Sequence, residues 1–259
     1  MAVAPPENSL GSSMMRALSA SQLLDVWEQG RAQQASQRAM ALLNAASPQT
    51  PPDVWAQRSI GQRDAALLTL REWTFGPKLA GLATCHACGE SLELAFKVAD
   101  IRVSPASESA EVLSLNVADY DLRFRLPNSR DLAAIVEQDD GDDAAGRRLL
   151  QQCLLDAHQN GKQIRIDQLP GDVIDVVVEH MAEADPQADV QLALSCLSCE
   201  HRWNVTFDIV TFFWSEIDAW VQRTLREVHC LASAYGWREA DILAMSAWRR
   251  QFYLQTVGA

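Results

Sequence analysis

The chain has 259 residues, 48% of them apolar, with 22 Lys and Arg against 34 Asp and Glu, a net charge of −12. That is enough apolar material for one or two packed domains, and too acidic a balance to attract nucleic-acid phosphates without a local basic patch; the arginines are instead scattered among acids. No run is long enough to span a membrane, and residues 1–18 read as a flexible lead-in rather than a targeting peptide, so a cytosolic protein with reduced thiols is expected.

Residues 19–46 have a helical pattern: Leu23, Leu24, Trp27, Ala35, Met40, Leu42 and Leu43 recur at spacings of three and four, with Gly30 as a point of interruption. Pro51 and Pro52 stop this segment, and Asp53 can cap the next. Residues 53–73 read as one helix or two, carrying Ile60, Ala65, Leu67, Leu68 and Leu70, with Gly61 as a divider and Gly76–Pro77 as the end. These make an N-terminal helical arm, residues 19–79. Next comes "ATCHACGESLELAF", with a strand expected over 92–98.

"SPASESAE" reads as a loop, and "VLSLNV" and "YDLRFRLP" as two strands joined across "ADYD". Helices are expected over 129–137 and 144–157, on either side of the acidic loop "EQDDGDD". "VIDVVVEHM" fits a short helix or a strand, "PQAD" a turn, and "VQLALSC" a strand. From Phe212 onward two helices are expected. One runs through Ile217, Trp220, Val221, Leu225 and Val228 and is closed by Gly236. The other begins at Trp237 or Arg238 and includes Ile242, Leu243, Met245, Trp248 and Phe252.

Two C-x-x-C pairs stand far apart in the chain: Cys85 with Cys88, and Cys196 with Cys199. Their flanks match. At offsets of +4, +6, +8 and +10 from Cys88 stand Leu92, Leu94, Phe96 and Val98; the same offsets from Cys199 hold Trp203, Val205, Phe207 and Ile209. This is a pseudo-repeat of a knuckle followed by a strand with one apolar face. Tetrahedral zinc takes four thiolates, and two such knuckles facing each other make a zinc ribbon. The long segment between them is tolerable because loop closure grows only logarithmically with length. The alternatives are four reduced, packed thiols, or a redox C-x-x-C. A catalytic zinc keeps a position open for water, whereas four cysteines saturate the ion; His86 and His201, beside the knuckles, could replace a cysteine or donate to a thiolate. Both histidines also fit as exposed knuckle residues.

The fold class expected is α+β. Zinc-ribbon halves occupy 80–100 and 191–211, with a long α/β insertion between the knuckles at 101–190. N-terminal helices and a C-terminal helical hairpin, 212–259, flank them. Cys153 and Cys230 fit small buried hydrophobes on helices, and His229 beside Cys230 points about 100° away from it. Phosphate-cradle, nucleophile-elbow and zinc-protease motifs are missing. Tryptophan stands out, eight in all, and "AWRRQFY" gathers aromatic and arginine residues of the kind enriched at interfaces. Trp237, Trp248, Arg249, Arg250, Phe252 and Tyr253 are candidate partner-binding residues; the other reading is a terminal helix docked on the core with its arginines in salt bridges.

Four stretches, "IGQRDAALLTLREWTFGPKL", "CHACGESLEL", "CLSCEHRWNVTFDI" and "FFWSEIDAWVQRTLREVHCLASAYGWREADILAMSAWRRQFYLQ", resemble the T4-type baseplate hub assembly chaperones of contractile phages and related tail-like bacterial systems. The resemblance implies a non-enzymatic protein that helps assemble a baseplate hub and binds other tail proteins, either in the cytoplasm or within a tail-like particle. Carried over residue by residue, it reaches Cys85, Cys88, Cys196 and Cys199 as ligands of structural zinc. It also reaches Gly61, Arg63, Asp64, Arg71 and Glu72 in the first arm, and His229, Tyr235, Gly236, Trp237, Arg249, Arg250 and Tyr253 in the last. Two other functions compete: a nucleic-acid-binding zinc ribbon, opposed by the charge, and a hydrolase using metal or Cys–His chemistry.

Overall fold

A computed structural model describes residues 15–103, 111–136 and 142–258. The expected loops "SPASESAE" and "EQDDGDD" fall almost wholly outside the described residues, as does most of the lead-in. In chain order the elements are α1 (Ala20–Gly30), α2 (Ala35–Ala46), α3 (Pro52–Gln57), α4 (Ile60–Phe75), β1 (Lys78–Thr84), β2 (Ser91–Lys97), α5 (Val98–Ile101), β3 (Leu113–Val117) and β4 (Tyr120–Phe124). There follow α6 (Ser129–Val136), α7 (Asp142–Cys153), β5 (Leu154–Gln159), β6 (Lys162–Gln163), α8 (Gly171–Ala184), β7 (Gln191–Ser195), β8 (Arg202–Thr206), α9 (Ile209–Tyr235), α10 (Glu239–Leu243) and α11 (Ala247–Val257).

The chain divides into two units, one of residues 1–50 and 209–259, the other of residues 51–208. The first is helical. Val210, Phe213, Trp214, Ile217, Val221, Thr224, Val228 and Leu231 recur at helical spacing on α9 and are all buried. Against them lie Leu23, Leu24, Val26 and Trp27 of α1 and Ala39, Leu42 and Leu43 of α2. Trp27 Nε1 donates to Asp218 at 2.9 Å, and the Arg38 guanidinium lies 4.6 Å over the Trp214 ring. Gly30 does end α1. The second C-terminal helix is broken: α10 stops at Leu243, and Ser246 caps a new helix by accepting from the Arg249 amide.

In the second unit, β1–β2 and β7–β8 are antiparallel hairpins. In each strand exposed residues alternate with half-buried ones or, at Leu79 of β1, a buried one, so each hairpin has one covered face. Phe96 and Phe207 meet edge to face at 5.8 Å. Between the hairpins in sequence stands the sheet β3–β4–β5–β6. Leu122, Phe124 and Ala157 of that sheet pack with Val173, Val177 and Met181, an i, i+4, i+8 stripe on α8. "VIDVVVEHM" is therefore helix. The expected helix over 144–157 ends at Cys153, and Leu154–Gln159 is instead a strand paired with β4. That pairing is non-local, and it overrides a locally helical sequence.

The chain entering and leaving this inserted segment is tied together. The Val103 amide donates to Gln187 Oε1 at 2.7 Å, and Gln187 Nε2 donates to the Ile101 carbonyl at 3.3 Å. α4 begins at the same place. Its break from α3 falls at Ser59, whose side chain caps it, and not at Gly61. The Gly61 amide donates to Asp185 Oδ2 at 2.8 Å, and a Cβ at Gly61 would overlap that carboxylate and crowd the Ala188 amide. Glycine is needed there for close approach.

Candidate metal centre

Each knuckle grows from the end of a hairpin strand by the same two backbone bonds. The Cys85 amide donates to the Glu90 carbonyl at 2.8 Å, and the Gly89 amide returns to the Cys85 carbonyl at 2.9 Å. In the second knuckle the Cys196 amide donates to the His201 carbonyl and the Glu200 amide to the Cys196 carbonyl, each at 2.9 Å. The residue after the second cysteine is left-handed in both: Gly89 at φ +77° and Glu200 at φ +59°. The repeat seen in the flanking strands thus extends to the turns.

The knuckles bring together thiols from two distant parts of the chain. Cys85 Sγ lies 3.7 Å from Cys199 Sγ, and Cys88 Sγ lies 3.6 Å from Cys196 Sγ. All four sulfurs are within 4.8 Å of one another. A zinc ion with bonds of about 2.3 Å places its sulfurs about 3.8 Å apart along each tetrahedral edge, so the spacing fits that ion. The first cysteine of each pair is buried and the second exposed.

The electrostatics also suit a cation. Burial works against a Cys196 thiolate, but the amides of Ser198 and Cys199, with the neighbouring thiols, outweigh it and bring the pKa down to about 7. The Glu90 backbone favours a Cys88 thiolate, yet hydrogen bonds with Cys199 and Cys196 outweigh that and carry Cys88 up to about 12. Four sulfurs this close do not all ionise together unless a cation offsets their mutual repulsion.

His86 and His201 are exposed and are not members of the sulfur cluster. They flank Trp203 instead, His201 stacked at 5.5 Å and His86 edge-on at 6.0 Å. Four soft ligands leave no coordination position for an activated water, so the donor set belongs to a structural centre. Among the described residues no other group of three or more His, Cys, Asp or Glu is placed to hold a metal.

The remaining candidates fall into different settings. Cys153 is fully buried, and burial pushes its thiol up to about 11, so it is protonated and inert near neutrality. Cys230, expected to be buried, is exposed. It stands two positions beyond buried Val228 on α9, about 200° around the helix from it. His229 is also exposed.

The C-terminal aromatics form a ladder. Tyr235 stacks on Trp237 at 4.5 Å, Trp237 meets Tyr253 edge-on at 4.9 Å, Tyr253 meets Phe252 at 5.8 Å, and Phe252 stacks on Trp248 at 6.1 Å. Trp248 is 77% exposed and Phe252 55%. Arg249 is exposed, with its guanidinium 5.8 Å over Tyr253. Arg250 turns inward: it is buried, donating Nε to Glu227 at 2.9 Å and Nη1 to the Met245 carbonyl at 2.8 Å. It fastens α11 to α9.

One further cluster is not apparent from the sequence pattern. Arg63, Asp64 and Asp185 are all buried near the start of α4, with Arg63 Nε donating to Asp64 at 2.7 Å. Burial is the main reason that the Asp64 carboxyl rises from 3.8 to about 6. Arg63 opposes the shift, and the nearby carboxylates Asp208 and Asp185 add to it. The family resemblance singles out Gly61, Arg63 and Asp64, but nothing in the sequence says that Asp185 folds back onto them.

Among the described residues no helix is long and apolar enough to cross a membrane. No curated protein and no solved structure matches the chain. A family model described as T4 bacteriophage base plate protein matches residues 20–214, from the start of α1 into α9. With that match over most of its length, the chain belongs to the T4 bacteriophage base plate protein family.

Proposed function

We propose that this chain is an assembly factor or minor component of a contractile-tail baseplate hub, shaped by one structural zinc ion and binding other tail proteins through its C-terminal aromatic ladder. Membership of a baseplate family and a saturated four-sulfur site support a non-enzymatic structural role. Zinc would be held by Cys85, Cys88, Cys196 and Cys199, closing a ribbon around the inserted segment. It would supply shape rather than chemistry, because folding both knuckles onto one ion ties the chain together on either side of the insertion.

The observation that carries the partner-binding reading is the exposure of Trp248 and Phe252. They stand one helical turn apart on α11 and project from it as a stacked pair. A helix anchored by aromatic residues at i and i+4 suits an apolar groove on another protein. The protein would act in the cytoplasm during assembly and either leave or stay in the particle.

The test is co-purification of the tagged full-length chain with the tail proteins encoded beside it. A hub or spike protein should be recovered, and the double change Trp248→Ala with Phe252→Ala should weaken recovery more than about tenfold without shifting thermal unfolding. Undiminished recovery by the double variant would remove the aromatic ladder from the interface. Recovery of nucleic acid in place of tail proteins would overturn the whole reading.

A further inference from the structure

Among the described residues, β1 pairs with β2 alone, which leaves its other side open. The Cys85 amide bonds to the Glu90 carbonyl and the Val98 amide to the Pro77 carbonyl, which fixes the phase of the ladder. Counting by twos between them, Leu79, Gly81 and Ala83 form the bonded pairs with Phe96, Leu94 and Leu92. Lys78, Ala80, Leu82 and Thr84 therefore point their N–H and C=O groups away from β2. All four are exposed, and among the described residues no bond outside the hairpin engages them.

Natural proteins protect such edges with charge, proline, bulges or short length. The other edges here are protected in those ways or shorter. β2 presents Glu93 and Lys97, β8 presents Arg202, β6 is two residues long and includes Lys162, and β3 and β7 have five residues each. β1 has seven residues; its one charged outward position is Lys78 at the very start, and from Leu79 to Thr84 it carries no charge and no proline. Leu82, at the middle of the open edge, is 74% exposed.

Charge indicates what completes the edge. Residues 51–208, which include β1, hold 14 Lys and Arg against 26 Asp and Glu, whereas residues 1–50 and 209–259 balance at 8 of each. All of the net −12 is therefore carried by the unit with the open edge. Two copies meeting along this strand would bring two such units together, and like charge opposes that. An extended segment flanked by lysine or arginine meets no such penalty.

We infer that the outer edge of β1, from Ala80 to Thr84, is a strand-addition site for an extended, basic-flanked segment of another protein. Main-chain bonds to Ala80, Leu82 and Thr84 would provide the affinity, and an apolar side chain opposite Leu82 the register. This surface is separate from the aromatic ladder and does not depend on it.

The test uses the purified, zinc-loaded full-length chain and a ten-residue probe peptide of alternating threonine and valine with two lysines at each end. Amide exchange is followed by NMR. At about 1 mM the peptide should slow exchange of the Ala80, Leu82 and Thr84 amides by about tenfold or more, and leave the bonded Gly81 and Ala83 amides unchanged. A glutamate-ended peptide should not do so at low salt. Leu82→Pro removes only an outward-facing donor, so the ladder survives while protection is lost. Leu82→Lys keeps the donor and adds a charge to the edge, and should also weaken the lysine peptide. Absence of protection, equal protection by the glutamate peptide, or protection that survives both variants overturns the inference. So does protection that grows with protein concentration alone, since the occupant would then be a second copy. The co-purification result with the Trp248 and Phe252 variants is independent of all these outcomes.

Discussion

Glu200 occupies, at φ +59°, the turn position that the first knuckle fills with Gly89 at φ +77°. A side chain in this left-handed region costs about 1–2 kcal/mol, and the extra freedom of an unfolded glycine returns about 0.5–1 kcal/mol of that. Glu200→Gly should therefore stabilise the folded protein by about 0.5–1 kcal/mol, since the Glu200 side chain is exposed. Gly89→Ala is the mirror experiment. A Cβ at Gly89 meets nothing within 4 Å, so its cost is conformational alone, about 1 kcal/mol of destabilisation. For a chain of this size 1 kcal/mol moves the unfolding midpoint by about 2–4 °C. The turns present the thiols, so zinc affinity should move the same way, up about two- to fivefold for Glu200→Gly. The assays are thermal unfolding followed by circular dichroism, and competition with a chromophoric chelator at fixed pH. A destabilised Glu200→Gly, or a neutral Gly89→Ala, would refute the proposed equivalence of the two knuckles.

Arg250→Ala should cost about 3 kcal/mol or more in thermal unfolding, because it strands Glu227 and removes the tie to the Met245 carbonyl. Exposed Arg249→Ala should stay within about 0.5 kcal/mol; equal effects would mean that Arg250 is not buried. The raised Asp64 carboxyl makes stability depend on pH with a definite sign. Its folded pKa, about 6, exceeds 3.8, so the folded state binds the proton more tightly. Its contribution is fully present below pH 3.8 and is lost as pH rises through 6. Between pH 7.5 and pH 5 it should add about 1–1.5 kcal/mol to the wild-type chain and nothing to Asp64→Asn. The difference between the two pH slopes in urea unfolding isolates this carboxyl, because thiol titration is common to both chains; parallel slopes would refute it.

Features repeated along the chain are legible in its amino-acid order. The matched offsets after Cys88 and Cys199 predict two similar hairpin strands and the gathering of four sulfurs, since each knuckle is a local motif. The helical spacing on α9 and the stop at Gly236 are legible for the same reason. Features set by distant partners are not. Leu154–Gln159 becomes a strand only because β4 is beside it, and Cys153 closes a helix that local propensity would have continued. β1 escapes a sequence reading because "KLAGLAT" has weak strand propensity and depends on β2 for its pairing. The break before Ser246 rests on a single side-chain cap inside a helix-like pattern. The inward turn of Arg250 depends on Glu227, which lies on another helix.

The most direct test of the central claim is zinc K-edge X-ray absorption on the purified full-length chain, with metal content determined on the same sample. One zinc per chain is expected, with a first shell of four sulfurs at about 2.3 Å and no nitrogen or oxygen. A nitrogen or oxygen ligand in that shell, or less than stoichiometric zinc in fully folded protein, would contradict a structural ion shared by the two knuckles.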